Sequence, residues 1–222
     1  LNRPDEDIKV LFRFPYPPER SRVEVTNLDK ERIEDDFLND SLIDYYLRRL
    51  QDDVSALFAE TLKDAFYLFN TFFNTRYKQG KRNAQTAGGT KNEIFRERHK
   101  AAHASVSRWI RKAKVNLFEK EFLVVPINGQ LHWSVAIVCN PSLLKDYFEK
   151  CLKTARWKEK GKEHVKDGLL ENSVGNNEVD LVSEEPVFCI LHLDSLRIHN
   201  TNEIKENLFC FLYNIWVESF DG

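Results

Sequence analysis

The chain has 222 residues and a mass of 26.1 kDa, with 42% hydrophobic and 31% charged residues, a net charge of −2 and a mean hydropathy of −0.50. With 16 Phe, 7 Tyr and 4 Trp, it can bury the core of one domain, or of a domain with a large insertion, and it is no disordered tail, collagen, coiled coil or disulfide mini-protein. No apolar run approaches the roughly 18 residues of a membrane helix, and four cysteines without CxxC pairs or a His-rich companion argue against zinc and for reduced thiols.

In chain order, 1–20 carries Pro4, Pro15, Pro17 and Pro18 and reads as an extended lead-in. Val23 and Val25 alternate with polar residues, predicting a short edge strand. Asn39 is a good N-cap with Leu38 placed to staple onto Ile43, and Leu42, Ile43, Tyr46, Leu47 and Leu50 follow at helical spacing. "AFYLFN" (65–70) predicts an aromatic strand and "TFFNTRYK" a helical turn or two. The Gly-, Lys- and Thr-rich tract 79–92 reads as a mobile loop. "RHKAAHASVSRWIRKAK" predicts a basic helix with Val106, Trp109 and Ile110 on its apolar side. Two apolar strands, "KEFLVVPING" and "QLHWSVAIVCNP", adjoin around Asn128-Gly129, a hairpin signal. The polar region 141–186 reads as an inserted loop region. "VFCILHLDSL" predicts a buried strand, six of its first seven residues being apolar. The last segment predicts a helix with Asn200 and Glu203 at capping-box offset and Ile204, Leu208, Phe211, Leu212 and Ile215 as its buried stripe. Helices flanking strands give an α+β class.

The small net charge conceals segregation. From Asp29 to Asp64 there are eleven acidic and five basic residues, and from Arg76 to Lys114 twelve basic and two acidic. The basic tract could meet nucleic acid or an acidic protein. It lacks the aromatic interleaving of a single-strand binder, so a solvated loop and helix face is the simpler reading.

Two residues stand out chemically. His132 lies at the mouth of a strand beside Trp133, and Asp194 ends an apolar strand where a carboxylate requires a partner. A His and an Asp at two strand ends form a base and its orienter, the Asp setting the tautomer and stabilising imidazolium. By spacing alone they equally fit a strand-end histidine and an acid opening a turn.

Four blocks, "FLNDSLIDYYLRRL" (37–50), "FNTFF" (69–73), "FLVVPINGQLHWSVAIV" (122–138) and "LHLDSL" (191–196), resemble in order the ubiquitin-like-protein proteases, the SUMO-specific (sentrin) family related to adenain. The segment from Arg98 to Pro141 and the long 141–186 excursion resemble the subfamily with insertions in its catalytic domain and a preference for SUMO chains. The resemblance implies a single, C-terminally truncated cysteine protease domain of papain-like or adenain-like α+β fold, a central mixed sheet flanked by helices. It makes His132 the catalytic base and Asp194 its orienter. Trp133 and Phe37, the latter where many relatives carry Trp, become the roof of a channel for a Gly-Gly tail, which only residues without Cβ can thread. Asp40 becomes a contact to a basic residue of the modifier, a role compatible with a helix N-terminal acid. No metal or organic cofactor is implied. The expected partner is SUMO or another ubiquitin-like protein, in a monomeric, nuclear and also cytoplasmic protein with no membrane or nucleic-acid role.

One departure matters. The family nucleophile is a Cys in a "DCG"-like turn beyond the Asp block, and no DCG occurs here. With Leu1 first and no Met, the chain reads as a piece of a longer protein, or alternatively as a pseudo-protease or binding module for a ubiquitin-like protein. The stripe of the last helix is then expected to be exposed unless other elements cover it. The 222-residue chain alone is expected not to release SUMO from a conjugate, and release by the purified chain would overturn that expectation.

Overall fold

The structure is a computed structural model that describes residues 8–15, 22–57, 64–85, 88–150 and 186–219. Its elements run β1 (Val10–Phe14), β2 (Val23–Thr26), α1 (Asn27–Asp35), α2 (Asp40–Leu57), β3 (Phe66–Leu68), α3 (Phe72–Asn83), α4 (Lys91–Ala113), a 3₁₀ turn (Leu117–Glu119), β4 (Phe122–Gly129), β5 (His132–Cys139), α5 (143–150), β6 (Cys189–Leu193) and α6 (Thr201–Glu218). The four-stranded sheet has the order β3-β4-β5-β6 and is mixed: β3 lies parallel to β4, the other pairs antiparallel. β1 and β2 form a separate antiparallel pair, so the expected lead-in is partly strand.

Alternation along the central strands decides which face carries the core. Leu123, Val125 and Ile127 of β4 and Ser134, Ala136 and Val138 of β5 are buried and pair across the register, so they share one face. Against that face pack Phe69, Phe73 and Tyr77, Val106 and Ile110 of α4, Phe148 of α5 and Leu208, Phe211 and Leu212 of α6. Phe211 sits edge-on to Phe69, Phe73 and Tyr77 at 5.9, 4.8 and 6.1 Å, geometries worth about 0.5–1.5 kcal/mol per pair beyond area burial. The stripe of the last helix is therefore covered within this chain, contrary to expectation. Exposed apolar side chains include Leu191, Leu193, Leu196 and Ile198 on β6 and the turn after it. β6 is an edge strand of the described sheet, not the buried strand its apolar run predicts, because an apolar run does not report which face is covered.

The caps explain the helix starts. Asn39 Oδ1 accepts from Leu42 N at 3.1 Å and starts α2, as its sequence predicts. Thr26 with Asp29 and Thr90 with Glu93 close reciprocal capping boxes on α1 and α4. At α6 only half the box forms. Asn200 Oδ1 accepts from Glu203 N, while the Glu203 carboxylate turns to Lys78 and Lys81 of α3.

The Gly-rich tract 79–92, expected to be a loop, is helical through Asn83 and again from Lys91. Gly80 lies inside α3 because a Cβ there would sit 2.7 Å from Ser105 Oγ and 2.9 Å from Ala102 Cα of α4. The basic helix also hides two histidines. His99 receives or gives a bond to Tyr77 Oη at 2.9 Å, and burial pushes its pKa down to about 4. The expected inserted region begins with α5, and its stretch 151–185 lies outside the described residues. Gly80→Ala should lower stability by about 1 kcal/mol, since overpacking of about 1–3 kcal/mol outweighs a helix-propensity gain of about 1 kcal/mol. A urea midpoint shifted downward at unchanged slope would show it.

Candidate active site

The site forms where β4, β5 and β6 end. The expected Asn128-Gly129 turn is displaced: the chain turns at Gln130 and Leu131, with φ of 53° and 58°, and Gly129 pairs with His132 within the ladder. Left-handed backbone costs a non-glycine about 1–2 kcal/mol, and Leu131, 80% exposed, recovers little by burial. Gly129 is required for another reason. A Cβ there would lie 3.2 Å from His199 Nε2, which donates to the Gly129 carbonyl at 2.9 Å. Its role is close approach of an imidazole, not the turn.

Asp194, following β6, has a side chain only 5% exposed. Its Oδ1 accepts from His132 Nε2 at 2.7 Å and from the backbone N–H groups of Leu196 and Arg197 at 3.1 and 2.9 Å. Oδ2 accepts from His199 N at 2.8 Å. Arg197 adopts a left-handed φ of 54°, which curls the turn so that these amides converge on one carboxylate. Desolvation would raise the Asp194 pKa, but the bonds from His199 N, His132 and the Leu196 and Arg197 amides outweigh it and hold the group well below the usual carboxylate range. Asp194 is thus an anion, and His132 Nε2 carries the proton it accepts. Nδ1 of His132 has no hydrogen-bond partner among the described residues.

Sequence reasoning missed four residues around this pair. Ser134 Oγ lies 2.6 Å from His199 Nδ1 and 2.9 Å from His192 Nε2, and His192 Nδ1 lies 2.8 Å from Thr201 Oγ1. Period-2 alternation would have put Ser134 on the His132 side of β5 and His192 on the Asp194 side of β6; only the cross-strand register brings them together. One ligand atom each from His192, Asp194 and His199 lies within 4.8 Å of the others, close enough to consider a metal. The ring nitrogens already have hydroxyl and carbonyl partners, so hydrogen bonding accounts for the cluster.

The opposite face of the sheet holds an open cleft of about 560 Å³. Pro126, Val135 and Leu193 are cross-strand neighbours and form its floor, Ile43 and Leu47 of α2 form a wall, and Asp194 and Ser195 lie on its rim. Trp133 lines it, and its Nε1–H donates to the Leu38 carbonyl at 2.8 Å, tying β5 to the start of α2. Phe37 is adjacent to that tie, 63% exposed, and does not line the cleft. Asp40 is half-buried in the first turn of α2. One turn on, Asp44 Oδ1 accepts from Thr71 N at 2.9 Å, and burial raises its pKa. The structure therefore joins His132 with Asp194 directly, places Trp133 beside them, and leaves Phe37 and Asp40 at the mouth of α2.

The depressed pKa has a sign. Asp194 binds a proton more weakly folded than unfolded, so it stabilises the fold above the ordinary carboxylate value of about 3.9 and loses that contribution as pH falls below it. Asp194→Asn should flatten the dependence of Tm on pH between about pH 5 and pH 2; an unchanged slope in calorimetric melts would contradict the bonding described.

The chain matches the Ulp1 protease family, C-terminal catalytic domain, over residues 36–216. It is similar to sentrin-specific protease 7 of Mus musculus, 28% identical over 94% of this chain and 21% of that protein. To sentrin-specific protease 6 of Mus musculus it is 36% identical over 64% of this chain and 12% of that protein. The chain thus spans about a fifth or less of the length of these curated relatives. Among solved structures, a de-sumoylating protease is 21% identical, covering 57% of this chain and 41% of its own, with a TM-score of 0.43. The C-terminal Ulp1 protease domain in complex with Smt3, the yeast ortholog of SUMO, is 18% identical over 60% of this chain and 45% of its own, with a TM-score of 0.38. With 36–216 matched, the chain belongs to the Ulp1 protease family, through its C-terminal catalytic domain.

Proposed function

We propose that this domain serves a SUMO-specific cysteine protease that cuts after the Gly-Gly terminus of the modifier. The observation that carries the reading is the 2.7 Å bond between His132 and a fully hydrogen-bonded Asp194, at the rim of an apolar cleft lined by Trp133. A thiolate adds to the carbonyl carbon of the terminal glycine. His132, as imidazolium held by Asp194, then gives its proton to the departing lysine amine, leaving a thioester. In the second half His132 takes a proton from water, whose oxygen attacks the thioester and expels the thiolate. Asp194 stays ionised throughout, orienting the ring and stabilising its charged form. Trp133 and Phe37 cover the Gly-Gly tail, with Asp40 contacting a basic residue of the modifier. A monomeric state and a nuclear location belong to the same reading.

The described cysteines do not suit the attack. Cys139 and Cys189 face each other at the far end of β5 and β6, about 24 Å along the strand from His132 at ~3.4 Å per residue. Burial pushes the Cys139 thiol up to about 11 and the Cys210 thiol, within α6, up to about 12. A nucleophile with these values would be almost wholly protonated at neutral pH. We therefore assign the nucleophile to polypeptide outside the described residues. This same observation favours a second reading, a module that holds a ubiquitin-like protein without cutting it.

A SUMO bearing an electrophilic C-terminus separates the two. The protein should form a covalent adduct if it is a protease, whereas binding without an adduct selects the module. In the protease, His132→Ala should lower kcat/KM by about 10²–10⁴-fold, the usual weight of a general acid–base. Trp133→Ala should weaken SUMO binding about tenfold or more in either case, equivalent to about 1.4 kcal/mol. Unaltered affinity of the Trp133 variant by calorimetry would remove the cleft from the reading.

A further inference from the structure

His199 is not part of the His132–Asp194 pair, yet it touches both strands that carry them. Its backbone N–H donates to Asp194 Oδ2 at 2.8 Å. Its ring lies beside that of His132, centroids 5.3 Å apart and tilted by 36°. Its Nε2 reaches the carbonyl of Gly129, the residue directly opposite His132 in the ladder. The side chain is 8% exposed, so these contacts are made away from water, where an unmade bond is costly.

The partners settle the protons. A carbonyl oxygen only accepts, so His199 Nε2 carries the hydrogen. One consistent set of donors follows: His199 Nδ1 accepts from Ser134 Oγ–H at 2.6 Å, and Ser134 Oγ accepts in turn from His192 Nε2–H at 2.9 Å. His192 Nδ1 then accepts from the hydroxyl of Thr201 at 2.8 Å, the first residue of α6. Burial, partly offset by the nearby Asp194 charge, lowers the His192 pKa and keeps that ring neutral. The bonds run without a break from α6 to the β4–β5 hairpin.

We propose that His199 is a positioning residue of this site, a clamp that fixes the end of the β4–β5 hairpin, and with it His132, against the Asp194 turn. The hairpin needs such a clamp. Its turn consists of two non-glycine residues in left-handed conformation, one of them a largely exposed leucine, and so does little to rigidify itself. Pairing of Gly129 with His132 transmits the position of the Gly129 carbonyl to the start of β5. The Ser134, His192 and Thr201 bonds hold the clamping ring in place from behind. The clamp acts through His132 and touches no substrate. It deepens the protease reading, because a base held to within a few tenths of an ångström is what general acid–base transfer requires, but its geometry stands whether or not SUMO is the substrate.

The test reads the His132–Asp194 bond itself, not turnover. In the 222-residue chain labelled with ¹⁵N-histidine, the His132 Nε2 proton should give a downfield resonance protected from exchange with water. His199→Gln places an amide N–H where Nε2 stood and should keep that resonance. His199→Asn, which matches only Nδ1, should lose it to exchange broadening, as should His199→Ala. Gly129→Ala strikes the same contact from the hairpin side and leaves the Asp194 turn unaltered, so it too should broaden the signal. Retention in the Asn, Ala and Gly129 variants would overturn the proposal, as would equal loss in the Gln variant, which would assign the effect to ring packing. SUMO affinity measured on the same samples tests the functional reading separately, so the failure of one is not mistaken for failure of the other.

Discussion

An ionised carboxylate removed from water must find donors, and much of this site follows from how Asp194 finds them. Four donors converge on its two oxygens: three backbone amides from the turn it opens, and the His132 ring. The amides are available only because Arg197 takes a left-handed conformation and bends the turn back on itself. The ring is available only because β5 starts at residue 132, two residues later than the Asn-Gly signal implies. Burial costs of several kcal/mol for an unpaired charge make these arrangements interdependent, since loss of either leaves the carboxylate short of donors.

The two faces of β5 divide the work. Residues 132, 134, 136 and 138 look toward the helices, and so the dyad and its hydroxyl–imidazole support are extensions of the core. Trp133 and Val135 look the other way, onto the cleft that α2 walls. The histidine bonded to Asp194 and the tryptophan on the cleft are thus consecutive residues on one strand, and any shift of the strand would move both. The Trp133 indole bond to Leu38 carries this coupling to the start of α2, where Phe37 and Asp40 lie. A slip by one residue would exchange the faces altogether, which the buried row of Ala136 and Val138 prohibits.

The helical layer gives that strand something rigid to rest on. Phe211 at the centre of an aromatic cluster joins α3 and α6, and Gly80 lets α3 approach α4 closely. Thr201 belongs to the same α6, so the helix that fills the core also anchors the outer end of the hydrogen-bonded chain reaching Gly129. Leu191, Leu193, Leu196 and Ile198 stay exposed along β6 and its turn, next to the cleft.

His132, Asp194 and Trp133 were legible in the sequence, because a histidine at a strand mouth and an acid ending an apolar strand are chemically conspicuous, and because the motif blocks around them come in a fixed order. The start of α2 and the stripe of α6 were equally legible, since caps and 3.6-residue periodicity are local properties. What tertiary structure alone decided depends on residues distant along the chain. Ser134 and His192 become partners through strand register, and Gly129 is reserved for the ring of a histidine seventy residues away. Gly80 reads as a loop signal until α4 lies against it, and β6 reads as buried until its position in the sheet is known. Phe37 and Trp133 were paired by resemblance, but the fold places only Trp133 on the cleft. Local pattern thus singled out the His132–Asp194 pair and most of the elements, while the contacts that hold that pair in place arise only when separate segments pack, because hydrogen bonds and van der Waals exclusion act through space and not along the chain.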